Sequence, residues 1–229
     1  MGYFDETFSA NKSVKFTPPL RGCAGHRLRR RPLPKALCSE TNRRQGLFKQ
    51  RMNYIAIDKS KQKEVAGLFT SVFTSSEGEK EGMLLGSLSS ELASSIDNDE
   101  TICFCAYENE TLVGSIFFTR LKFNKPILVY MLAPVAVRTE YQGKGIGQSL
   151  INYGLNELKK RSVSVVVTYG DPAFYSKVGF QALSEEFIQA PQTLSMPFGW
   201  LGQSLTAEPI PAIDERPTCV KEFNDTVYW

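Results

Sequence analysis

The chain has 229 residues, 42% hydrophobic and 22% charged, ordinary values for a globular protein and enough length for one domain with extensions or two small domains. No apolar run approaches the roughly 20 residues of a membrane span, and no apolar signal-peptide core opens the chain, so no membrane partner is expected. The net charge of +3 hides a break, with +9 over residues 1–51 and −6 over residues 52–229, which separates two stretches with different physical roles.

Five cysteines, Cys23, Cys38, Cys103, Cys105 and Cys219, are scattered, and His26 is the single histidine. No C-x-x-C pair exists, so no metal is expected. Free thiols suit a reducing compartment, and the expected location is cytoplasmic.

Residues 1–52 read as a basic, disordered leader. Pro18, Pro19, Pro32 and Pro34 interrupt it, and its centre is the arginine-rich run from Arg21 to Arg31. Such a stretch buries too little apolar surface to offset its ordering entropy. A nucleic-acid arm, a transit peptide and a membrane-surface anchor are three functional readings of the charge. The favoured reading is a leader without nucleic acid as partner, translated or not, with Met52 as the real start, because the first strand follows directly.

Asn53–Ile57 predicts a short strand, and Ser60 is the expected cap of the helix behind it. Val65, Leu68, Phe69, Val72 and Phe73 make a helical stripe at i, i+3, i+4, i+7 and i+8. Gly78–Gly82 reads as a polar linker, and Met83–Ile96 as a second helix. Thr101–Glu108 and Thr111–Phe123 read as strands joined at Asn109-Glu110, with Cys103 and Cys105 on one face as small core residues. Gly114 marks a bulge or a close packing contact. The next strand runs from Ile127 to Val137 and contains Pro134, which removes a ladder donor.

That strand leads into Gln142-Gly143-Lys144-Gly145-Ile146-Gly147 and then into a helix whose buried stripe is Gly147, Leu150, Ile151, Gly154, Leu155 and Leu158. Glycines at alternate positions allow a tight bend and close approach of a ligand. The free N–H groups at the helix start complete an anion cradle suited to phosphate, with Lys144 beside it. The dinucleotide fingerprint fails because Gln148 stands where its third glycine belongs. The P-loop fails because Arg138 stands where its first glycine belongs. The kinase glycine loop precedes a strand, not a helix.

Ser162–Tyr169 reads as the fifth strand. Pro172 opens a short helix carrying Tyr175, which Gly179 ends before Phe180. Beyond, Phe187–Leu194 is an expected strand, and Pro197–Gly202 an aromatic turn. Trp200, Phe223, Tyr228 and Trp229 seek burial, either on the domain or at a dimer interface.

Two motifs in the expected order, Gln142-x-x-Gly145-x-Gly147 and Tyr175-x-x-x-Gly179-Phe180, resemble the GNAT family of N-acetyltransferases. The resemblance covers residues 53–185 and leaves 186–229 as an extension packed on the domain or at a dimer interface. It implies an α/β fold with a central mixed sheet splayed between the fourth and fifth strands and flanked by helices. The reaction it implies is transfer of an acetyl group from acetyl-CoA, the cosubstrate, to a primary amine of a small molecule or protein. It also implies that Val135, Ala136, Val137, Gln142, Gly143, Lys144, Gly145, Ile146 and Gly147 bind the cofactor, that Tyr175 protonates the departing thiolate, and that the first two helices lie beside the acceptor. The family's N-x-x-A is replaced by Thr168 and Asp171. Glu140 and Asp171 are the nearest acids, read as a turn residue and a cap, so no base is assigned. A module that binds acyl-CoA without turnover is the alternative, and the assembly is a monomer or homodimer.

Overall fold

The computed structural model describes residues 52–229. The leader readings, with Cys23, His26 and Cys38, lie outside the described residues.

β1 (Met52–Ala56) pairs antiparallel with β2 (Thr101–Glu108). Between them run α1 (Gln62–Glu77) and α2 (Glu79–Ser94). The stripe predicted for α1 is buried throughout. The cap falls on Asp58, not on Ser60: the Asp58 carboxylate accepts the Ser60 N–H at 2.8 Å and starts a single 3-10 turn ahead of α1. The expected linker Gly78–Gly82 contracts to Gly78 alone, at φ +100°. Glu79 and Glu81 sit in the first turn of α2, where carboxylates favour the positive end of the helix dipole. Gly82 lets the two helices touch, since a Cβ there would lie 2.8 Å from the Thr74 backbone nitrogen.

β2 turns into β3 (Thr111–Leu121) through Asn109 and Glu110, both at positive φ, the backbone of a tight two-residue hairpin. The register slips by one residue opposite Ala106/Tyr107, next to Gly114, whose absent Cβ would stand 3.3 Å from the Ala136 carbonyl oxygen. β3 pairs antiparallel with β4 (Val129–Val137), where Ala133 and Pro134 together oppose Phe117. The proline is therefore accommodated in a bulge, where no ladder donor is demanded of it.

α3 (Ile146–Lys160) crosses back over the sheet. Leu150, Ile151, Leu155 and Leu158 are buried beneath it, and each contributes about 2 kcal/mol. That anchoring fixes where the start of the helix stands. β5 (Val165–Tyr169) follows, then α4 (Pro172–Tyr175), β6 (Gln181–Ala182) and β7 (Trp200–Ser204). The sheet order is β1-β2-β3-β4-β5-β7-β6, antiparallel except for β4 and β5. The helices α1 and α2 share one apolar layer with the C-terminal aromatics, and α3 and α4 share the other.

Two expectations fail in the C-terminal stretch. Phe187–Leu194 forms no strand and holds only an isolated bridge, Ile188 with Ile213. The strand lies instead at Trp200–Ser204, overlapping the end of the expected aromatic turn, because β5 offers it a five-residue antiparallel partner. Trp200 is buried there, and its indole N–H donates to the Ile188 carbonyl at 2.9 Å. Trp229 tilts against Trp200 with ring centroids 6.5 Å apart, so the end of the chain folds onto the sheet.

Candidate active site

β4 and β5 pair for only three residues, Val129–Met131 with Val165–Val167, and then part. β5 stays paired with β7 along its whole length, so the gap opens on the β4 side. The Arg138 N–H donates to the Val113 carbonyl at 2.9 Å. Alternation along an antiparallel ladder then turns the amide of Ala136 to β3 and those of Val135 and Val137 toward the gap. Ala136, expected among the cofactor-binding residues, thus commits its N–H to the sheet.

At the open end lies the glycine turn. Gly143 and Gly145 sit at φ +74° and +77°, a left-handed backbone that side chains resist. A Cβ on either would meet nothing within 4 Å, so the space before the turn is open. Gly145 caps α3, and the first intrahelical donor is the Ser149 N–H, bonded to the Gly145 carbonyl at 3.0 Å. The N–H groups of Ile146, Gly147 and Gln148 are left without helical acceptors. A cleft of about 370 Å³ lies against them, lined also by Val137, Tyr141, Phe174 and Lys177. Lys177 is the one charged residue of that lining.

Tyr175 is buried behind Phe174, which lines the cleft. Its ring lies edge-on between Phe174 and Phe180, at centroid distances of 5.0 and 5.7 Å. Gly179, at φ +94°, reverses the chain so that the Phe180 N–H reaches the Tyr175 carbonyl at 3.2 Å. The spacing of tyrosine, glycine and phenylalanine is therefore the spacing of a helix stop. Burial pushes the Tyr175 phenol up to about 12, against a hydrogen bond to Thr168 that pulls it down. Thr168 is fully buried, and its hydroxyl donates to the Leu132 carbonyl at 2.8 Å, one residue beyond the last β4–β5 pair.

The family model described as "Acetyltransferase (GNAT) domain" matches residues 99–182, which run from before β2 through the glycine turn to β6. That stretch is similar to a GNAT acetyltransferase domain. Curated relatives include the uncharacterized N-acetyltransferases YjhQ and YhbS of Escherichia coli K12. YjhQ is 36% identical over 110 residues, 45% of this chain and 60% of that one. YhbS is 35% identical over 71 residues, 31% of this chain and 42% of that one. The chain thus spans less than two thirds of the length of the curated relatives it matches. Among solved structures, YhbS in complex with CoA superposes with a TM-score of 0.61 at 21% identity, over 77% of this chain and 94% of that one. A GNAT acetyltransferase from Brucella melitensis in complex with acetyl-CoA gives 0.53, also at 21%, over 74% and 95%. These likenesses show the GNAT fold.

The fold brings Val137, Gln142, Gly143, Gly145, Ile146 and Gly147 together around the cleft. Gln142 has its side-chain nitrogen committed to the Val137 carbonyl at 2.9 Å, so it braces the turn. Lys144 is not among the lining residues, and its ammonium stands 4.7 Å over the ring of Tyr141, which is. Asp171 caps α4, accepting the Ala173 N–H at 2.8 Å, and Glu140 is exposed, 4.0 Å from Arg138. Tyr141, Gln148, Phe174 and Lys177 also line the cleft and were passed over in the sequence, although the first three adjoin motif residues and Lys177 lies within the second motif. Among the described residues no group of three or more His, Cys, Asp or Glu could hold a metal, and no helix is long and apolar enough to cross a membrane.

Proposed function

We propose that this chain transfers the acetyl group of acetyl-CoA to a primary amine of a small molecule or protein. The observation that carries the reading is the open glycine turn at the mouth of the β4–β5 gap. Its open space and the amides of Ile146, Gly147 and Gln148 fit a diphosphate, which needs convergent donors more than side chains. The complexes of the two structural relatives with CoA and acetyl-CoA support this choice of ligand.

Acetyl-CoA supplies an acyl group activated as a thioester. In this reading the amides of Val135 and Val137 hold the arm that carries it and face the charge that develops on the acyl oxygen. Tyr175 donates a proton to the departing sulfur. With its pKa raised to about 12, the phenol is protonated throughout the neutral range, the state an acid requires. No side chain is assigned as base.

A second reading has one observation in its favour. The residues lining the cleft include no Asp, Glu or His, which suits a module that binds acyl-CoA without turnover. Thiol release from acetyl-CoA across a panel of polyamines, aminoglycosides and lysine peptides separates the two. Release with any amine supports the transferase, and tight CoA binding with no release supports the binding module.

A further inference from the structure

We propose that the outer edge of β1 is a self-association surface, on which a second copy of this chain lays its own β1 antiparallel and joins two seven-stranded sheets into one. The inference is independent of the acetyl-transfer reading. β1 and β6 are the two edges of the sheet. β6 is two residues long, which blunts that edge. β1 is the five-residue run Met-Asn-Tyr-Ile-Ala, with no charge, no proline and no slip in its register with β2. It carries none of the devices that keep strand edges from pairing.

The ladder fixes which backbone groups point outward. The Ile57 N–H donates to the Cys103 carbonyl at 3.1 Å. Alternation then turns Asn53, Ile55 and Ile57 to β2, and the N–H and C=O groups of Met52, Tyr54 and Ala56 away from it. Among the described residues no hydrogen bond reaches those outward groups. The strand is its own complement. A two-fold axis at Tyr54 sets Tyr54 opposite the Tyr54 of the second copy and Met52 opposite its Ala56, so every outward group meets an outward group. The side chains suit that register. Met52, Tyr54 and Ile55 pack on the two apolar layers and stay half-exposed at the edge. Tyr54 stacks on Tyr153 at 5.7 Å on the α3 side. On the α1 side Ile55 borders a hollow of about 630 Å³ with Asn53 and Tyr107, and the second copy's Asn53, opposite Ile55, enters it. Charge suits it too. The exposed Glu110 lies beyond the Met52 end of β1 and the exposed Lys59 beyond the Ala56 end, so antiparallel pairing brings Glu110 of each copy toward Lys59 of the other. That match selects a second copy as the occupant.

Sedimentation equilibrium of the full chain tests the surface. The weight-average mass is expected to rise from 25.6 kDa toward twice that between about 1 and 100 micromolar, as suits a small interface. Ala56→Pro removes one outward donor and leaves the β2 ladder intact, since that N–H does not face β2. It is expected to hold the mass at one chain throughout, with Tm within about 5 °C of wild type. If the proline prevents folding, Asn53→Lys, which sets a charge at the edge against Ile55 of the second copy, is expected to show the same loss of association. Register is read by cross-linking. Tyr54→Cys, opposed to itself across the axis, is expected to give a disulfide-linked dimer under mild oxidation, and Asn53→Cys no more than the wild type. A wild type that stays at one chain up to about 100 micromolar would overturn the proposal. Association unchanged in both Ala56→Pro and Asn53→Lys, or cross-linking no greater at position 54 than at 53, would place the contact elsewhere and overturn it. A one-chain mass with slow hydrogen exchange at the Tyr54 and Ala56 amides would assign the edge to another segment of the same chain, and would overturn it as well.

Discussion

The Gln142 side-chain amide donates to the Val137 carbonyl at 2.9 Å, tying the start of the glycine turn to the last residue of β4. The bond closes a five-residue loop and fixes the angle at which the turn meets the gap. Gln142→Ala leaves that carbonyl without its partner and frees the turn. CoA affinity is expected to fall about two- to tenfold, the range of one net hydrogen bond. Gln142→Glu, which sets a carboxylate against a carbonyl oxygen, is expected to cost more. Calorimetry with CoA on both variants checks the order.

Lys177 gives the cleft its one positive side chain. Lys177→Glu is expected to weaken CoA binding at least tenfold at low salt, and the deficit should shrink as ionic strength rises, because an exposed charge is screened. Pantetheine, which lacks the diphosphate, should bind both proteins equally. Titrations at low and high salt measure the difference.

Tyr175 carries the acid role in this account. Tyr175→Phe is expected to lower kcat about a hundredfold or more with CoA affinity unchanged. The pH dependence has a definite sign. An acid works while protonated, and burial raises this phenol above its ordinary value to about 12. The activity lost on deprotonating Tyr175 is therefore lost only near that value. A kcat profile in wild type should show no fall from this group between pH 7 and about pH 10, where an ordinary phenol would be half ionised.

Gly82 keeps α1 and α2 in contact away from the cleft. A Cβ there would meet the Thr74 nitrogen at 2.8 Å and the Thr70 carbonyl oxygen at 2.9 Å, both backbone atoms that cannot rotate aside. Gly82→Ala gains about 1 kcal/mol of helix propensity but loses more to overpacking, about 1–3 kcal/mol. Thermal unfolding should show a lowered Tm, with CoA affinity unchanged.

How much could be read from the chain alone depended on the range of the interaction. The turn from Gln142 to Gly147 and the stop at Gly179 were legible because a positive φ is a local demand that glycine announces. The stripe of α1 was legible because burial there repeats with the helix. The bond from Thr168 to Leu132 was not, since Leu132 lies on another strand and the pairing exists only where β4 and β5 part. β7 was missed because Trp200-Leu201-Gly202 reads as a turn until β5 is beside it. The direction of the Ala136 amide, opposite to those of Val135 and Val137, was not legible because that alternation depends on the ladder with β3.

The central claim is that the amides of the glycine turn hold the diphosphate of CoA. Isothermal calorimetry of the purified protein with CoA and acetyl-CoA, repeated on Gly145→Glu, tests it most directly. The account predicts saturable heat at one site per chain for both ligands and none for the variant, whose carboxylate fills and charges the open space before the turn. No heat in the wild type, or full affinity in Gly145→Glu, would contradict it.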